Sequence, residues 1–259
     1  MLTDGQIAHF QTFGFLVIRD LFSPEEVATI RRECDEIFAE ARGGGPYTGK
    51  WEAVQPFFER RPFVSGLVAD DRIYGLGEDL LGPDFYLGVT EGNLHSGDTP
   101  WHGGGGYKKG LPRIKIAFYL DPLTRDSGAL RVVPGSHVSG TPDLLKSLRD
   151  RSDDYRSTAF GVPQSQIPSF ALETRPGDLA VFTEDTLHGA FGGAPGRHQH
   201  AINFGRNPVT DVEVAQVRSS YERMRFSLRP CRSSINSENP RVRKLVAPLV
   251  ELGFDSHDL

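Results

Sequence analysis

Two stretches of this chain gather residue types able to do chemistry. The first is Gly97-Asp98-Thr99-Pro100-Trp101-His102-Gly103-Gly104-Gly105-Gly106-Tyr107, in which one histidine runs into four glycines. Glycines supply backbone N–H groups and conformational freedom but no ligating side chain. The chemistry of this stretch therefore rests on His102. An imidazole at such an edge can ligate a metal, hydrogen-bond within a loop, or do neither. The second stretch is Arg175-Pro176-Gly177-Asp178-Leu179-Ala180-Val181-Phe182, followed by Leu187-His188-Gly189 and Gly196-Arg197. Imidazoles with one carboxylate suit non-haem Fe(II) and leave positions open for oxidant and substrate. A guanidinium can hold a carboxylate by two parallel hydrogen bonds; taken alone, Arg197 reads as a surface arginine in a Gly/Pro turn.

Together these residues resemble the phytanoyl-CoA dioxygenase-like branch of the Fe(II)/2-oxoglutarate oxygenases. That family places an H-x-D pair at the end of one strand, a distal histidine much later, and an arginine shortly beyond it. His102 matches the first metal ligand and His188 the distal one. Arg197, nine residues past His188, matches the arginine that binds the 2-oxoglutarate carboxylate. The segment from Asp121 to His137 is similar to the family's crossover, and the resemblance covers roughly residues 1–207. It implies a mostly β chain with flanking helices, a cupin-like double-stranded β-helix with a jelly-roll core. The implied cofactors are Fe(II), 2-oxoglutarate and O2. Thr99, Asn93 and Lys115 are further candidates for cofactor or substrate contacts.

One position departs from the family: Gly104 stands where the aspartate belongs. Family members with Gly or Ala there resemble the halogenases, in which chloride binds the iron directly. A halide would fill the open position and restore the missing negative charge. The leading expectation is halogenation of an aliphatic C–H bond in a small molecule, with chloride or bromide beside Gly104. The alternative is a hydroxylase of the same family whose carboxylate is lost, naturally or by an engineered Asp→Gly change. Water or a nearby carboxylate, Asp98, Glu184 or Asp185, would then occupy the vacant position. A third reading, a cupin-like binding protein without catalysis, has no need of the Arg197 clamp. His137 and His198 are expected to be structural, and His200 to be structural or to face the cavity. Tyr107, Lys108, Lys109 and Arg113 form a basic cluster that suits either an anionic substrate group or a solvated loop.

These residues need a scaffold, and the composition allows one. At 259 residues, 38% hydrophobic and 24% charged, the chain can bury a core of its own. A net charge of −5 and a pI near 5.9 argue against nucleic acid as a partner. Cys34 and Cys231 fit neither a disulfide framework nor a thiolate metal site, which makes a reducing, cytoplasmic setting the expectation. No apolar run approaches membrane-spanning length, so no membrane partner is expected; the resemblance implies a small-molecule substrate, and oligomeric state is not legible. One domain over residues 1–259 is expected: a helical scaffold at 1–82, the jelly-roll core at 83–207, and a C-terminal helical extension at 208–259.

Local signals place the elements. Thr3 with Gln6, and Ser23 with Pro24 and Glu26, have the form of helix starts with capping boxes. Val27, Ile30, Ile37, Phe38 and Ala41 fall on one helical face. The aromatic stretch 46–66 reads as a packed loop or a wall over the site. A helix is expected from Asp70 to Leu81. Strands follow at Phe15–Ile18, Phe85–His95, Ile114–Leu120, Ala129–Val133, Leu179–Phe182 and Ala201–Phe204. Residues 139–168, with Arg149, Arg151, Asp153 and Asp154 alternating in sign, read as a solvated insert. Two further helices are expected, from Val212 to Phe226 and from Asn239 to Phe254.

Overall fold

A computed structural model of the chain describes residues 1–103, 111–138, 145, 148, 158–223 and 228–259. Gly104, Tyr107, Lys108, Lys109, Arg149, Arg151, Asp153, Asp154 and Phe226 lie outside the described residues.

The N-terminal helices begin where their caps place them. In α1 (Asp4–Phe13) the Thr3 hydroxyl accepts from Gln6 N, and Gly14, in the left-handed region at φ 84, ends the helix. In α2 (Pro24–Ala41) Ser23 and Glu26 close the same reciprocal box behind Pro24. Ile30, Cys34, Ile37 and Phe38 form its buried face. Ala41 is exposed, contrary to its expected place on that face. Glu33 takes a place there instead, because its carboxylate accepts from Phe63 N and Val64 N. These caps start α3 (Pro62–Gly66), and α4 (Asp71–Leu81) follows with Asp70 as its N-cap.

The strands are β1 (Phe15–Ile18), β2 (Glu52–Val54), β3 (Phe85–His95), β4 (Thr99–His102), β5 (Arg113–Tyr119) and β6 (Leu130–Val132). β7 (Thr158–Ala159), β8 (Val162–Pro163), β9 (Phe170–Leu172), β10 (Leu179–Thr183), β11 (His188–Ala190) and β12 (Arg197–Arg206) complete the described set. A six-stranded antiparallel sheet runs β1-β10-β5-β12-β3-β2, and a four-stranded sheet runs β4-β11-β6-β9. The inner faces of the two sheets meet over Ala117, Tyr119, Leu130, Val132, Leu172, Ala180 and Phe182. The outer face of the larger sheet is covered by helices, with Ile114, Ile116, Phe118, Val181 and Ile202 packed against Ile30, Phe38 and Ile73 in one cluster. This is the jelly-roll arrangement with flanking helices that the family resemblance implies.

The C-terminal helices are α5 (Asp211–Arg223), α6 (Arg232–Ile235) and α7 (Pro240–Glu251). Val242, Leu245 and Val246 of α7 join the same cluster as the N-terminal helices. Cys34 and Cys231 are both free and buried. Among the described residues, no helix is long and apolar enough to cross a membrane.

Two stretches differ from their expected form. Residues 52–54 add a strand to the larger sheet, and Phe57 and Phe58 beyond it are fully buried, so 46–66 is more than a loop. The insert is also not simply solvated. Leu148, Ala159 and Ile167 are buried in a cluster with Trp101, Leu187 and Phe191. The sign-alternating charges mask these apolar positions in the sequence.

The Arg175-Pro176-Gly177-Asp178 turn shows how a buried charge sets an element in place. Burial alone would raise the Asp178 pKa, but bonds from Asp20 N, Arg19 Nη1 and Arg175 N outweigh it and leave the pKa below the usual carboxylate range. A depressed folded pKa contributes stability above the unfolded value, which is lost as pH falls through the folded one. Asp178→Ala is expected to cost about 3 kcal/mol in chemical denaturation at neutral pH. The gap between mutant and wild type should narrow as the pH is lowered into the acid range.

Candidate functional site

Strand alternation decides which side chains meet between the sheets. On β3, Glu91, Asn93 and His95 face inward; on β5, Lys115 and Tyr119 do; on β12, Arg197 and Gln199 do. From the smaller sheet come Thr99, His102, Leu130, His188 and Ala190, and all of these line one cavity of ≈ 160 Å³. Every described site residue expected from the sequence is therefore in this cavity: His102, His188, Arg197, Thr99, Asn93 and Lys115. Gly104 lies outside the described residues.

His102 and His188 are direct partners in the β4–β11 register, and their ring centroids are 4.1 Å apart. Each strand is held from behind. Trp101 is fully buried and donates its Nε1–H to Gln164 O at 2.9 Å. On the other strand, Leu187 N donates to the buried Ser136 hydroxyl at 2.8 Å and Val133 N to Leu187 O at 2.9 Å, so the Pro134-Gly135-Ser136-His137 crossover fixes the turn into His188. His137 is itself structural, with Nε2 at 3.1 Å from Gln11 O.

Both site imidazoles have a fixed tautomer. His102 Nδ1 lies 2.8 Å from Pro100 O, and His188 Nδ1 lies 2.7 Å from Thr186 O. A carbonyl only accepts, so each Nδ1 carries the proton and each Nε2 keeps a lone pair. Desolvation lowers the pKa of His102, which stands at the rim, and lowers that of the buried His188 much further. Two neutral imidazoles with oriented Nε2 atoms fit a divalent metal. Among the described residues no third His, Cys, Asp or Glu joins them. Two of the carboxylates weighed for that place are engaged elsewhere: Asp98 Oδ1 accepts from Gly192 N at 2.7 Å, and Glu184 pairs with Arg113 at 2.7 Å. Asp185 is partly desolvated, which raises its pKa.

Arg197 is 5% exposed, and its Nη1 is buried without a hydrogen-bond partner. Such an orphan is costly unless a ligand completes it. Desolvation lowers its pKa, and the nearby Tyr119 hydroxyl partly offsets this. The guanidinium sits in a slot of two glycines. A β-carbon on Gly193 would fall 1.2 Å from Arg197 Nη1, and one on Gly128 would fall 2.3 Å from it. Only residues without a side chain admit the guanidinium there. A buried guanidinium with an open donor fits a carboxylate ligand.

The other wall is polar. Lys115 Nζ lies 3.0 and 3.1 Å from the two Glu91 oxygens. Burial opposes the Lys115 charge, yet Glu91 outweighs it and the pKa is raised. Gln199 Oε1 accepts from Asn93 Nδ2 at 2.9 Å and lies 3.3 Å from His95 Nε2. Trp51 Nε1 reaches Asn93 Oδ1 at 3.2 Å, so part of the aromatic stretch does bear on the cavity. Burial, then the Arg197 charge, brings the His95 pKa down to about 4.

Glu91, His95, Tyr119 and Gln199 are site residues that the sequence reading missed. Counting by two from Asn93, Lys115 and Arg197 would have reached them. The same parity decides between the two readings of His200 in favour of the structural one: it points away from the cavity with His198, is fully buried, and stacks on Phe57 at 4.9 Å. Arg113, the described member of the expected basic cluster, is paired with Glu184.

Comparison with known proteins agrees with this fold. The family model described as phytanoyl-CoA dioxygenase matches residues 10–197. The ectoine dioxygenase of Sphingopyxis alaskensis is 25% identical over 224 residues, covering 72% of this chain and 70% of its own. The L-proline trans-4-hydroxylase of Streptomyces griseoviridis is 26% identical over 234 residues, covering 80% and 87%. Among solved structures, HygX from Streptomyces hygroscopicus with nickel and 2-oxoglutarate bound has a TM-score of 0.62 at 23% identity, covering 81% of this chain and 89% of that one. The last of these speaks to the fold, and the family match spans most of the chain, including both histidines and the arginine. The chain belongs to the phytanoyl-CoA dioxygenase family.

Proposed function

We propose that this protein hydroxylates an aliphatic C–H bond of a small molecule, using Fe(II), 2-oxoglutarate and O2. The observation that carries this reading is the convergence of two tautomer-fixed imidazoles and an unpartnered buried guanidinium in one cavity. His102 and His188 would hold the iron through Nε2, and Arg197 the far carboxylate of 2-oxoglutarate beside the Tyr119 hydroxyl. Bound there, the iron and its co-substrate supply the O2 activation that breaks the C–H bond. The chain's own part is to orient these groups and to exclude water between its two sheets. Relatives named as a dioxygenase and a hydroxylase support this over halogenation. Burial of α7 residues in the common core supports treating residues 1–259 as one catalytic unit. The test is succinate release: it should require Fe(II), 2-oxoglutarate and O2 together, and its absence with all three present would overturn the reading.

The Arg197 slot offers a sharper check. Gly193→Ala is expected to push the guanidinium from its place and weaken 2-oxoglutarate binding by at least about tenfold, ~1.4 kcal/mol. Isothermal titration under nitrogen measures it, and unchanged affinity would mean that Arg197 does not hold the co-substrate from this slot.

Halogenation remains the second reading because Gly104 stands where the family has its aspartate. A site with two imidazoles has room for an anion, and chloride should then perturb the Fe(II)·2-oxoglutarate absorption band. Gly104→Asp would supply a carboxylate whose effective concentration far exceeds that of millimolar free halide. The expected outcome for the hydroxylase reading is no chloride dependence in the wild type and faster hydroxylation in Gly104→Asp. A halogenated product, read by mass in chloride or bromide buffer and lost in Gly104→Asp, would establish the halogenase instead.

A further inference from the structure

The inner face of the larger sheet is apolar around Ala117, Ala180 and Phe182, yet next to these it carries an ion pair. Glu91 and Lys115 lie on β3 and β5, on either side of β12, whose Asn203 is the register partner of Lys115. Asn203 Nδ2 donates to Glu91 Oε1 at 2.8 Å and to Val89 O at 3.0 Å, which fixes the carboxylate from a third strand. The side chains of Lys115 and Glu91 are only 20% and 15% exposed. A scaffold gains little from such a pair, since apolar residues of similar volume are commonly as stabilising or more so. The pair lines the cavity of His102 and His188, and the Lys115 charge acts on both imidazoles.

The unused valences of the pair define a complement. The ammonium has three protons, and Glu91 takes two through its two oxygens at 3.0 and 3.1 Å. Glu91 Oε1 serves both Lys115 and Asn203, whereas Oε2 serves Lys115 alone. One N–H donor and one carboxylate acceptor are therefore left side by side. A purely apolar substrate would cover both without replacing their water. A ligand of one sign would satisfy one partner and oppose the other. A compact head group bearing both signs satisfies both and adds no net charge.

We infer that Glu91 and Lys115 are the substrate-recognition pair of this cavity and select a small zwitterion, an α-amino acid, with its carboxylate toward Lys115 and its ammonium toward Glu91. This rests on the oxygenase reading above, and the two can fail separately. The full chain is assayed for succinate with Fe(II), 2-oxoglutarate and O2, adding in turn each proteinogenic L-amino acid, its methyl ester and its N-acetyl derivative. The ester is cationic and the acetyl derivative anionic. At least one free amino acid should raise succinate release about tenfold over release without it, and neither of its derivatives should do so. In the double variant Glu91→Gln with Lys115→Met, which keeps an acceptor for Asn203, that preference should fall about tenfold through KM rather than kcat. A thermal melt of the variant reports folding, and the wild-type panel needs no variant at all. Equal stimulation by an ester or acetyl derivative, or no response to any free amino acid while basal turnover persists, overturns this inference alone. No 2-oxoglutarate turnover under any condition overturns both.

Discussion

Alanine at His102 or at His188 is expected to lower Fe(II) affinity by more than about 100-fold, beyond what loss of an outer hydrogen bond to a ligand costs, and to abolish 2-oxoglutarate turnover. Among the described residues no further His, Cys, Asp or Glu stands with the two imidazoles, so either change leaves a single protein nitrogen. The structure also says why neighbours would not compensate. His95 is turned to Gln199, and His198 and His200 sit on the far side of β12, with His198 Nδ1 at 3.2 Å from His200 Nε2. Anaerobic titration with Fe(II), or with Co(II) as an absorbing probe, measures the effect. His137→Ala serves as the control, because His137 bonds to Gln11 O and lies outside the cavity lining. Wild-type metal affinity in His102→Ala or His188→Ala would remove the assignment altogether.

How much of this was legible beforehand depended on the range of the signal. The helix starts at Thr3 and Ser23 were readable because a capping box is complete within four residues. Long strands such as β3 and β5 carry enough alternation to be seen. β4 and β11, which hold the two histidines, do not: they are four and three residues long, and one contains Pro100. Their pairing, His188 against His102, is a register fact across a separation of 86 positions, and no local pattern encodes it. The Glu91–Lys115 pair is hidden for the same reason, since the partners meet only across β12. Gln199 and His95 were within reach of a count by two, and the same count from Arg197 would have closed the alternative left open for His200. The chemistry-bearing types were thus visible, while their companions required the sheet.

Arg197→Ala is expected to weaken 2-oxoglutarate by about 2–5 kcal/mol while leaving Fe(II) affinity nearly unchanged. The size follows from burial: the guanidinium is 5% exposed and its Nη1 has no protein partner, so a carboxylate bound there would meet its charge with little solvent screening. Removing the side chain would leave that carboxylate in a partly desolvated slot without its charged partner, beside a Tyr119 hydroxyl held protonated by burial. Lysine should not restore the binding in full, because an ammonium cannot make the two parallel bonds of a guanidinium, and the slot between Gly128 and Gly193 is shaped around a planar group. Separate titrations of metal and co-substrate distinguish this from general damage: a structural defect would weaken both, whereas loss of the clamp weakens 2-oxoglutarate alone. An unchanged 2-oxoglutarate affinity in Arg197→Ala would move that contact to Lys115, the other cation of the cavity, and with it would fall the assignment of the Glu91–Lys115 pair to the substrate.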